Sequence, residues 1–152
     1  MPYSIAIASD HAALDLKAAL FAWLEEQGHA IKDLGPYSSD SVDYPDYGYA
    51  LAEAVASDHI DFGVALCGSG IGISIAVNRN PACRCALVSD NLSARLSREH
   101  NDANVIAMGA RLIGIETAKD CLAAFLSTDF GGDRHQRRVD KLSNPAPAKE
   151  PA

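Results

Sequence analysis

A cysteine followed directly by a glycine-rich turn is the feature of this sequence that most strongly suggests chemistry. The apolar run Phe62–Cys67 is followed by Gly68, Ser69, Gly70, Ile71 and Gly72. This pattern predicts a strand, a turn and the start of a helix, which together surround the thiol with backbone N–H groups. Such surroundings favour thiolate over thiol, so we expect Cys67 to act as a base or nucleophile. The alternative is an inert buried thiol.

This segment does not fully match any of three better-known loop motifs. A cysteine-dependent phosphatase loop needs an arginine six positions after the cysteine, and position 73 is Ile. A P-loop needs Gly-Lys-Ser/Thr, which does not follow. A dinucleotide fingerprint is matched only by Gly68 and Gly70, although Asp90 follows at about the distance of a ribose-binding acid. A nucleotide-binding function therefore stays open as an alternative.

His11 and His100 are the histidines best suited to proton transfer. Asp10 precedes the first, and Asn101 and Asp102 follow the second. An imidazole exchanges a proton near neutral pH, so each is a candidate acid or base. The alternative is a solvated surface group.

A basic cluster near the end of this acidic chain is a candidate anion site. Arg134 and Arg138 are four residues apart, so a helix would place them on one face. Paired guanidinium groups suit phosphate oxygens, and Arg111 is a further candidate cation. The alternative is a solvated face or a salt-bridge network.

Short apolar segments alternate with helical patterns along the chain. We predict strands at residues 4–9, 30–34, 62–67, 85–89 and 105–108. Helices are predicted at residues 14–27, 46–57, 72–78, 92–98 and 115–126. This alternation predicts an α/β fold with a parallel sheet covered on both faces. If the carboxyl ends of the strands share one edge, Asp10, His11 and Cys67 converge on one crevice.

Composition and charge restrict the partners, the location and the number of domains that we expect for this chain. The chain has 152 residues and a formal net charge of −7, which argues against nucleic acid or an anionic membrane as the main partner. Neither a signal peptide nor a membrane helix is predicted, so we expect a cytoplasmic protein. Four cysteines suggest no disulfide framework, and we interpret Cys85 as a core residue of a strand and Cys83 as lying at its entrance, rather than as metal ligands. We expect one domain at residues 1–142 and a disordered tail at 143–152.

Taken together, these motifs resemble the ribose-5-phosphate isomerase B family, which also contains galactose- and allose-6-phosphate isomerases. The resemblance covers about residues 4–142 in family order. The matching segments are residues 9–11, 43–45, 67–76, 78–79, 96–105, 108–111 and 134–139.

The resemblance implies a Rossmann-like three-layer α/β/α sandwich with a five-stranded parallel sheet. It implies a homodimer or tetramer with shared active sites and no metal or organic cofactor. Cys67 would be the base and His100 the ring-opening acid, with Asp10 assisting. The Ser69 hydroxyl and the backbone N–H groups of residues 68–72 would hold the enediolate oxygen. The remaining substrate contacts would be His11, Tyr44, Asn101, Arg111, Arg134 and Arg138.

Two details of the sequence bear on this resemblance. One branch of the family uses a glutamate farther into the glycine loop, but residues 73–77 contain no acid. The chain therefore resembles the cysteine branch. At position 133 a glycine is common in the family, and here it is Asp, whose carboxylate would either weaken phosphate binding or orient Arg134. The resemblance implies an isomerase that interconverts ribose 5-phosphate and ribulose 5-phosphate through a cis-enediolate. The alternatives are an isomerase of a six-carbon aldose 6-phosphate and a non-catalytic module that binds a nucleotide or a phosphosugar.

Overall fold

Strands and helices alternate along the chain in the computed structural model, which describes residues 2–57 and 59–151. The strands are β1 (Ser4–Ser9), β2 (Ala30–Asp33), β3 (Phe62–Cys67), β4 (Cys85–Leu87) and β5 (Val105–Gly109). The helices are α1 (Leu14–Glu26), α2 (Tyr44–Ser57), α3 (Ile71–Val77), α4 (Asn91–Asn101), α5 (Ile115–Ser127) and α6 (Gln136–Ser143). Short 3₁₀ turns at His11–Ala13 and Asp133–His135 precede α1 and α6. Met1 and Ala152, the outer ends of the predicted domain and tail, lie outside the described residues.

The five strands form one sheet in the order β2-β1-β3-β5-β4, and every neighbouring pair is parallel. This confirms the predicted α/β architecture with a five-stranded parallel sheet. Ser9 pairs with Leu66, and Cys67 pairs with Gly109. The carboxyl ends of β1, β3 and β5 therefore lie side by side at one edge of the sheet, which we call the carboxyl edge. The opposite edge, where these strands begin, is the amino edge.

Alternation along the strands separates two cores, one on each face of the sheet. Ile5 and Ile7 of β1 face a large core built with α1, α4 and α5, whereas Ala6 and Ala8 face a core built with α2 and α3. Successive side chains of a strand point to opposite faces, so each strand contributes to both layers. Cys67 belongs to the second core. The small alanine side chains on that face let α2 and α3 approach the sheet closely.

The predicted element types are confirmed, but several ends differ. Helix α2 begins at Tyr44, two residues earlier than predicted, because Pro45 is compatible with the first turn of a helix. Helix α4 extends three residues beyond the predicted end at Arg98. Its amino end is capped by Asp90, and its carboxyl end by Asp102 in the left-handed conformation. His100 and Asn101 therefore belong to a helix rather than a loop.

None of the helices in residues 2–57 and 59–151 is both long enough and apolar enough to cross a membrane.

Candidate active site

A cavity of about 540 Å³ opens at the carboxyl edge of the sheet. Most of the predicted site residues on this side of the molecule line it. They are Asp10, Tyr44, Cys67, Gly68, Ser69, Ile71, Gly72 and Arg111, together with Ile75 and Leu112. We call this group the carboxyl-edge cluster. It comes from the segments that follow β1, β2, β3 and β5, which is where parallel sheets bind ligands.

Cys67 ends β3 and is one of the residues that line this cavity. The residue is only 4% exposed, and its Sγ accepts a hydrogen bond of 3.1 Å from the backbone N–H of Gly70. A donor directed at sulfur stabilises negative charge there. The Ser69 hydroxyl oxygen accepts from the Ile71 N–H over 3.2 Å, which leaves its own proton available to a ligand. The loop thus combines a thiol with hydrogen-bond donors around one space.

Close packing explains why this loop contains so many glycines. Gly70 has a φ of +77°, and Leu87 and the Met108 backbone occupy the position its Cβ would take. A Cβ on Gly72 would lie 2.5 Å from the ring of Tyr44, which covers the first turn of α3. The Ile71 N–H of that turn already donates to Ser69, but the Gly72 N–H has no acceptor within the helix, so it can serve an oxygen in the cavity. The glycines therefore bring backbone donors close to Cys67.

The neighbouring loops hold Asp10, His11 and Arg111. The Asp10 carboxylate accepts a hydrogen bond of 2.9 Å from the Ala12 N–H and is almost fully buried. The Nδ1 atom of His11 accepts from the Val42 N–H over 3.1 Å, and His11 is not among the residues that line the cavity. The Arg111 side chain lies against Gly68, where a Cβ would come within 3.3 Å of its Nη1 atom, and its backbone N–H donates to the Gly68 carbonyl.

The remaining predicted site residues lie at the amino edge, away from this cavity. Helix α4 runs from the end of β4 back to the start of β5, so its last residues lie near Val105, which pairs with Gly63 at the start of β3. His100 and Asn101 are in that last turn. Arg134 and Arg138 join them because the Gly131 N–H donates to the Glu99 carbonyl over 2.9 Å. We call His100, Asn101, Arg134, His135 and Arg138 the amino-edge cluster.

Within one chain the two clusters are thus separated by the length of β3. Asn101 lines a different cavity, of about 610 Å³, beside β4 and α6. Arg138 donates to the Arg134 carbonyl over 3.1 Å, so these two residues do share one surface. Each chain carries both clusters, on opposite edges of its sheet.

Buried ionic contacts fix the end of α4. Arg98, 9% exposed, lies over the rings of Phe62 and Phe125 and donates to the Asp102 carboxylate over 2.9 Å. Arg84 reaches the other oxygen of that carboxylate at 3.4 Å. Both guanidinium groups also donate to backbone carbonyls of residues 101–103. The helix end that carries His100 is therefore rigidly attached to the core.

The other three cysteines and Asp90 make contacts that are typical of residues that support the fold. Burial raises the pKa of Cys83 to about 11, against the effect of Arg84, and its thiol contacts the Ala52 carbonyl. Burial also raises the pKa of Cys85, with Cys83 adding to the effect, and raises that of Cys121 to about 11. The Asp90 carboxylate accepts from the Ser93 N–H over 2.7 Å and caps α4. Asp90, the candidate ribose-binding acid, is therefore a helix cap.

Sequence reasoning missed several residues that shape these clusters. Ile75 lines the cavity, and its spacing of four from Ile71 was the available signal. Val42 holds His11 through a backbone atom, which no side-chain pattern reveals. Gly109 lies against Ser69, where a Cβ would come within 2.5 Å of the carbonyl group. His135 stacks on His100, and the signal for it was its place between the two arginines.

Comparison with known proteins agrees with this geometry. The family model for ribose/galactose isomerase matches residues 5–142. Ribose-5-phosphate isomerase B of Escherichia coli is 43% identical over 139 residues, covering 91% of this chain and 93% of the relative. D-erythrulose-4-phosphate isomerase of Pectobacterium atrosepticum is 40% identical over 143 residues, covering 91% and 92% respectively.

A solved structure of high similarity is the ribose 5-phosphate isomerase of Thermotoga maritima. It has a TM-score of 0.91 and 47% identity, with 93% of this chain and 97% of that one covered. The family match at residues 5–142 spans the sheet, the glycine turn and both clusters. We conclude that this chain belongs to the ribose/galactose isomerase family.

Proposed function

We propose that this chain is a ribose-5-phosphate isomerase, which interconverts D-ribose 5-phosphate and D-ribulose 5-phosphate. The observation that carries the proposal is that Cys67 lines a cavity together with Ser69, whose hydroxyl proton is available, and with the backbone donors of the glycine turn. Isomerisation needs a base over carbon and donors at the oxygen that becomes negative. The relatives named for this activity support the choice of sugar.

The mechanism we propose is a proton transfer through a cis-enediolate. His100 protonates the ring oxygen and Asp10 accepts the O1 hydroxyl proton as the bond between C1 and the ring oxygen breaks, which opens the furanose to the aldehyde. The Cys67 thiolate removes the C2 proton, and the negative charge moves to O1, which Ser69 and the backbone N–H groups of residues 68–72 hold. The proton then returns to C1 while the O2 hydroxyl proton passes to O1. The phosphate end binds His11, Arg111, Arg134 and Arg138, and Tyr44 and Asn101 border the sugar.

We further propose that a complete site needs two copies of the chain. The base lies at the carboxyl edge and the acid at the amino edge of the same sheet, which supports a site shared between subunits. Exposed apolar side chains surround the carboxyl-edge cavity, as expected for a surface that another chain covers. They are Ile71, Ile75, Leu87 and Leu112. A homodimer is the smallest assembly that satisfies this arrangement, and a tetramer would contain the same pairs.

Mixing two inactive variants tests the shared site. Cys67→Ala and His100→Ala each remove one catalytic group, so each alone should lose most turnover, about 10²-fold or more. After subunit exchange, half of the dimers are mixed and each contains one intact site. Activity should therefore return to about a quarter of the wild-type value.

Mass spectrometry of the mixture verifies that mixed dimers have formed. If mixed dimers are present and activity does not return, the acid and base act from the same chain and the shared site is wrong. Unchanged turnover in Cys67→Ala would contradict the role of base.

The length of the sugar is the main open choice. The relative named D-erythrulose-4-phosphate isomerase is almost as similar as the ribose-5-phosphate relatives, so a four-carbon substrate is a second candidate. Six-carbon aldose 6-phosphates are the other alternative. The deciding experiment compares kcat/KM for ribose 5-phosphate, erythrulose 4-phosphate, allose 6-phosphate and galactose 6-phosphate. No turnover of any of them, together with tight nucleotide binding, would favour a binding module. A cytoplasmic location stays a prediction.

A further inference from the structure

The ring of His135 lies flat on the ring of His100. The two ring centroids are 4.4 Å apart and the planes differ by 15°. His100 is in the last turn of α4, and His135 is the last residue of the 3₁₀ turn Asp133–His135. Within residues 2–57 and 59–151, no hydrogen bond involves a ring nitrogen of His100. Stacking is thus the contact that restrains its ring while both nitrogens remain free for a substrate.

The backbone around His135 is held against the same turn of α4. The Gly131 N–H donates to the carbonyl of Glu99, the residue directly before His100. The His135 N–H donates to the Gly132 carbonyl over 2.9 Å, which closes the turn. A Cβ on Gly131 would lie 3.0 Å from the Glu99 carbonyl oxygen, so the loop contacts the helix closely. The position of the His135 ring is set within one chain.

The charges around the stack favour the neutral form of His135. Loss of water contact, followed by the positive charges of His100, Arg134 and Arg138, lowers the pKa of His135, and Glu99 acts in the opposite direction. Asp133 and Arg137 are the other charged groups nearby in sequence. A neutral ring face attracts a cation placed over it, so the stack is compatible with a protonated His100. Two charged rings would repel each other.

We propose that His135 is a positioning residue for the reaction, whose stacked ring holds the His100 imidazole in one orientation toward the sugar. This inference rests on the proposed function, because it assigns His100 the role of acid. His135 makes no contact with the substrate in this proposal and acts only through His100.

The first experiment compares His135→Ala with His135→Phe. Phenylalanine retains a flat ring but cannot titrate, so it should keep kcat within about 3-fold of wild type. Alanine removes the stack and should lower kcat about 10-fold, with little change in the KM for ribose 5-phosphate. Gln136→Ala, an exposed neighbour in α6, is the matched control and should leave kcat unchanged. Equal kcat for His135→Ala and wild type, or equal losses for Ala and Phe, would overturn the proposal.

A double-variant cycle tests whether the effect passes through His100. In a His100→Ala background, His135→Ala should cause no further loss of kcat. A further loss of about 10-fold would show an independent role and overturn the proposal. NMR of ¹³C-labelled histidine gives a readout that needs no turnover. The His100 ring resonances should shift in His135→Ala and keep most of their ring-current shift in His135→Phe.

These readouts separate this proposal from the proposed function. Absence of turnover of sugar phosphates by the wild-type chain would overturn the proposed function. The NMR comparison would still decide whether His135 orients His100, since unchanged His100 resonances in His135→Ala would overturn the positioning role in that case too.

Discussion

The backbone N–H of Val42 donates a hydrogen bond of 3.1 Å to Nδ1 of His11. In the neutral ring this leaves the proton on Nε2, which is the nitrogen free to donate to a phosphate oxygen. The same bond ties the loop at residues 35–43 to the end of β1. His11 therefore combines a structural acceptor with a potential ligand donor, and the two roles can be separated by substitution.

His11→Asn should separate the acceptor role of Nδ1 from the donor role of Nε2. The asparagine carbonyl oxygen replaces Nδ1 as the acceptor for Val42, while the Nε2 donor is lost. We expect the KM for ribose 5-phosphate to rise about 10-fold or more, as for a lost hydrogen bond to a charged group, with an unchanged melting temperature. His11→Ala should raise KM similarly and also lower the melting temperature. A normal KM in His11→Asn would remove His11 from the phosphate site.

Gly109→Ala should disturb the loop that carries Ser69. The new Cβ would lie 2.5 Å from the Ser69 carbonyl group, which is backbone and cannot rotate away. Overpacking of this kind costs about 1–3 kcal/mol, or a fall in melting temperature of about 2–10 °C. We expect kcat to fall as Ser69 moves. Gly114→Ala is the control, because a Cβ there has no neighbour within 4 Å. Equal melting curves for the two variants would show that the β5 end is more adaptable than its packing indicates.

Alkylation should distinguish Cys67 from the other thiols. At pH 8 a thiol with a pKa of about 11, such as Cys83 or Cys121, is about one part in a thousand thiolate. Cys67 lines a cavity, and its sulfur faces a backbone donor. We expect iodoacetamide to modify Cys67 first, with a parallel loss of activity and protection by ribose 5-phosphate. Peptide mass spectrometry gives the site, and faster modification of Cys83 or Cys121 would contradict the expectation.

Asp133 occupies a backbone conformation that suits glycine. Its φ is +50°, directly after Gly132 at +63°, which explains why a glycine is favoured at this position. No ion pair between Asp133 and Arg134 is recorded in the part of the chain that the structure describes. The Asp133 carboxylate therefore places a negative charge near the arginines that we propose bind phosphate.

Three substitutions separate charge from conformation at this position. Asp133→Asn, Asp133→Gly and Asp133→Ala all remove the carboxylate, and each should lower the KM for ribose 5-phosphate about 2-fold to 3-fold. Only alanine should also lose about 1 kcal/mol of stability, because asparagine and glycine tolerate the left-handed region. Steady-state kinetics and thermal unfolding supply the two readouts. A higher KM in Asp133→Asn would show instead that the carboxylate orients Arg134.

Local sequence patterns were sufficient to predict which segments are strands or helices and which residues meet at the carboxyl edge. Parallel strands that end in Ser9 and Cys67 must bring Asp10 and the glycine turn together, since hydrogen bonding aligns neighbouring strands. The carboxyl end of α4 was harder to predict because its last turn depends on Asp102, which pairs with Arg98 one turn earlier and with Arg84 from outside the helix. The Arg84 contact has no local periodicity.

The sequence by itself determined a parallel α/β sheet, a thiol beside backbone donors and a basic cluster near the chain's end. Only the tertiary structure decided that the thiol and His100 lie at opposite edges of the sheet, because α4 runs antiparallel to the strands it connects. It also decided that His135 stacks on His100 and that Val42 holds His11. These relationships depend on how loops distant in sequence pack against one another, which residue spacing does not encode.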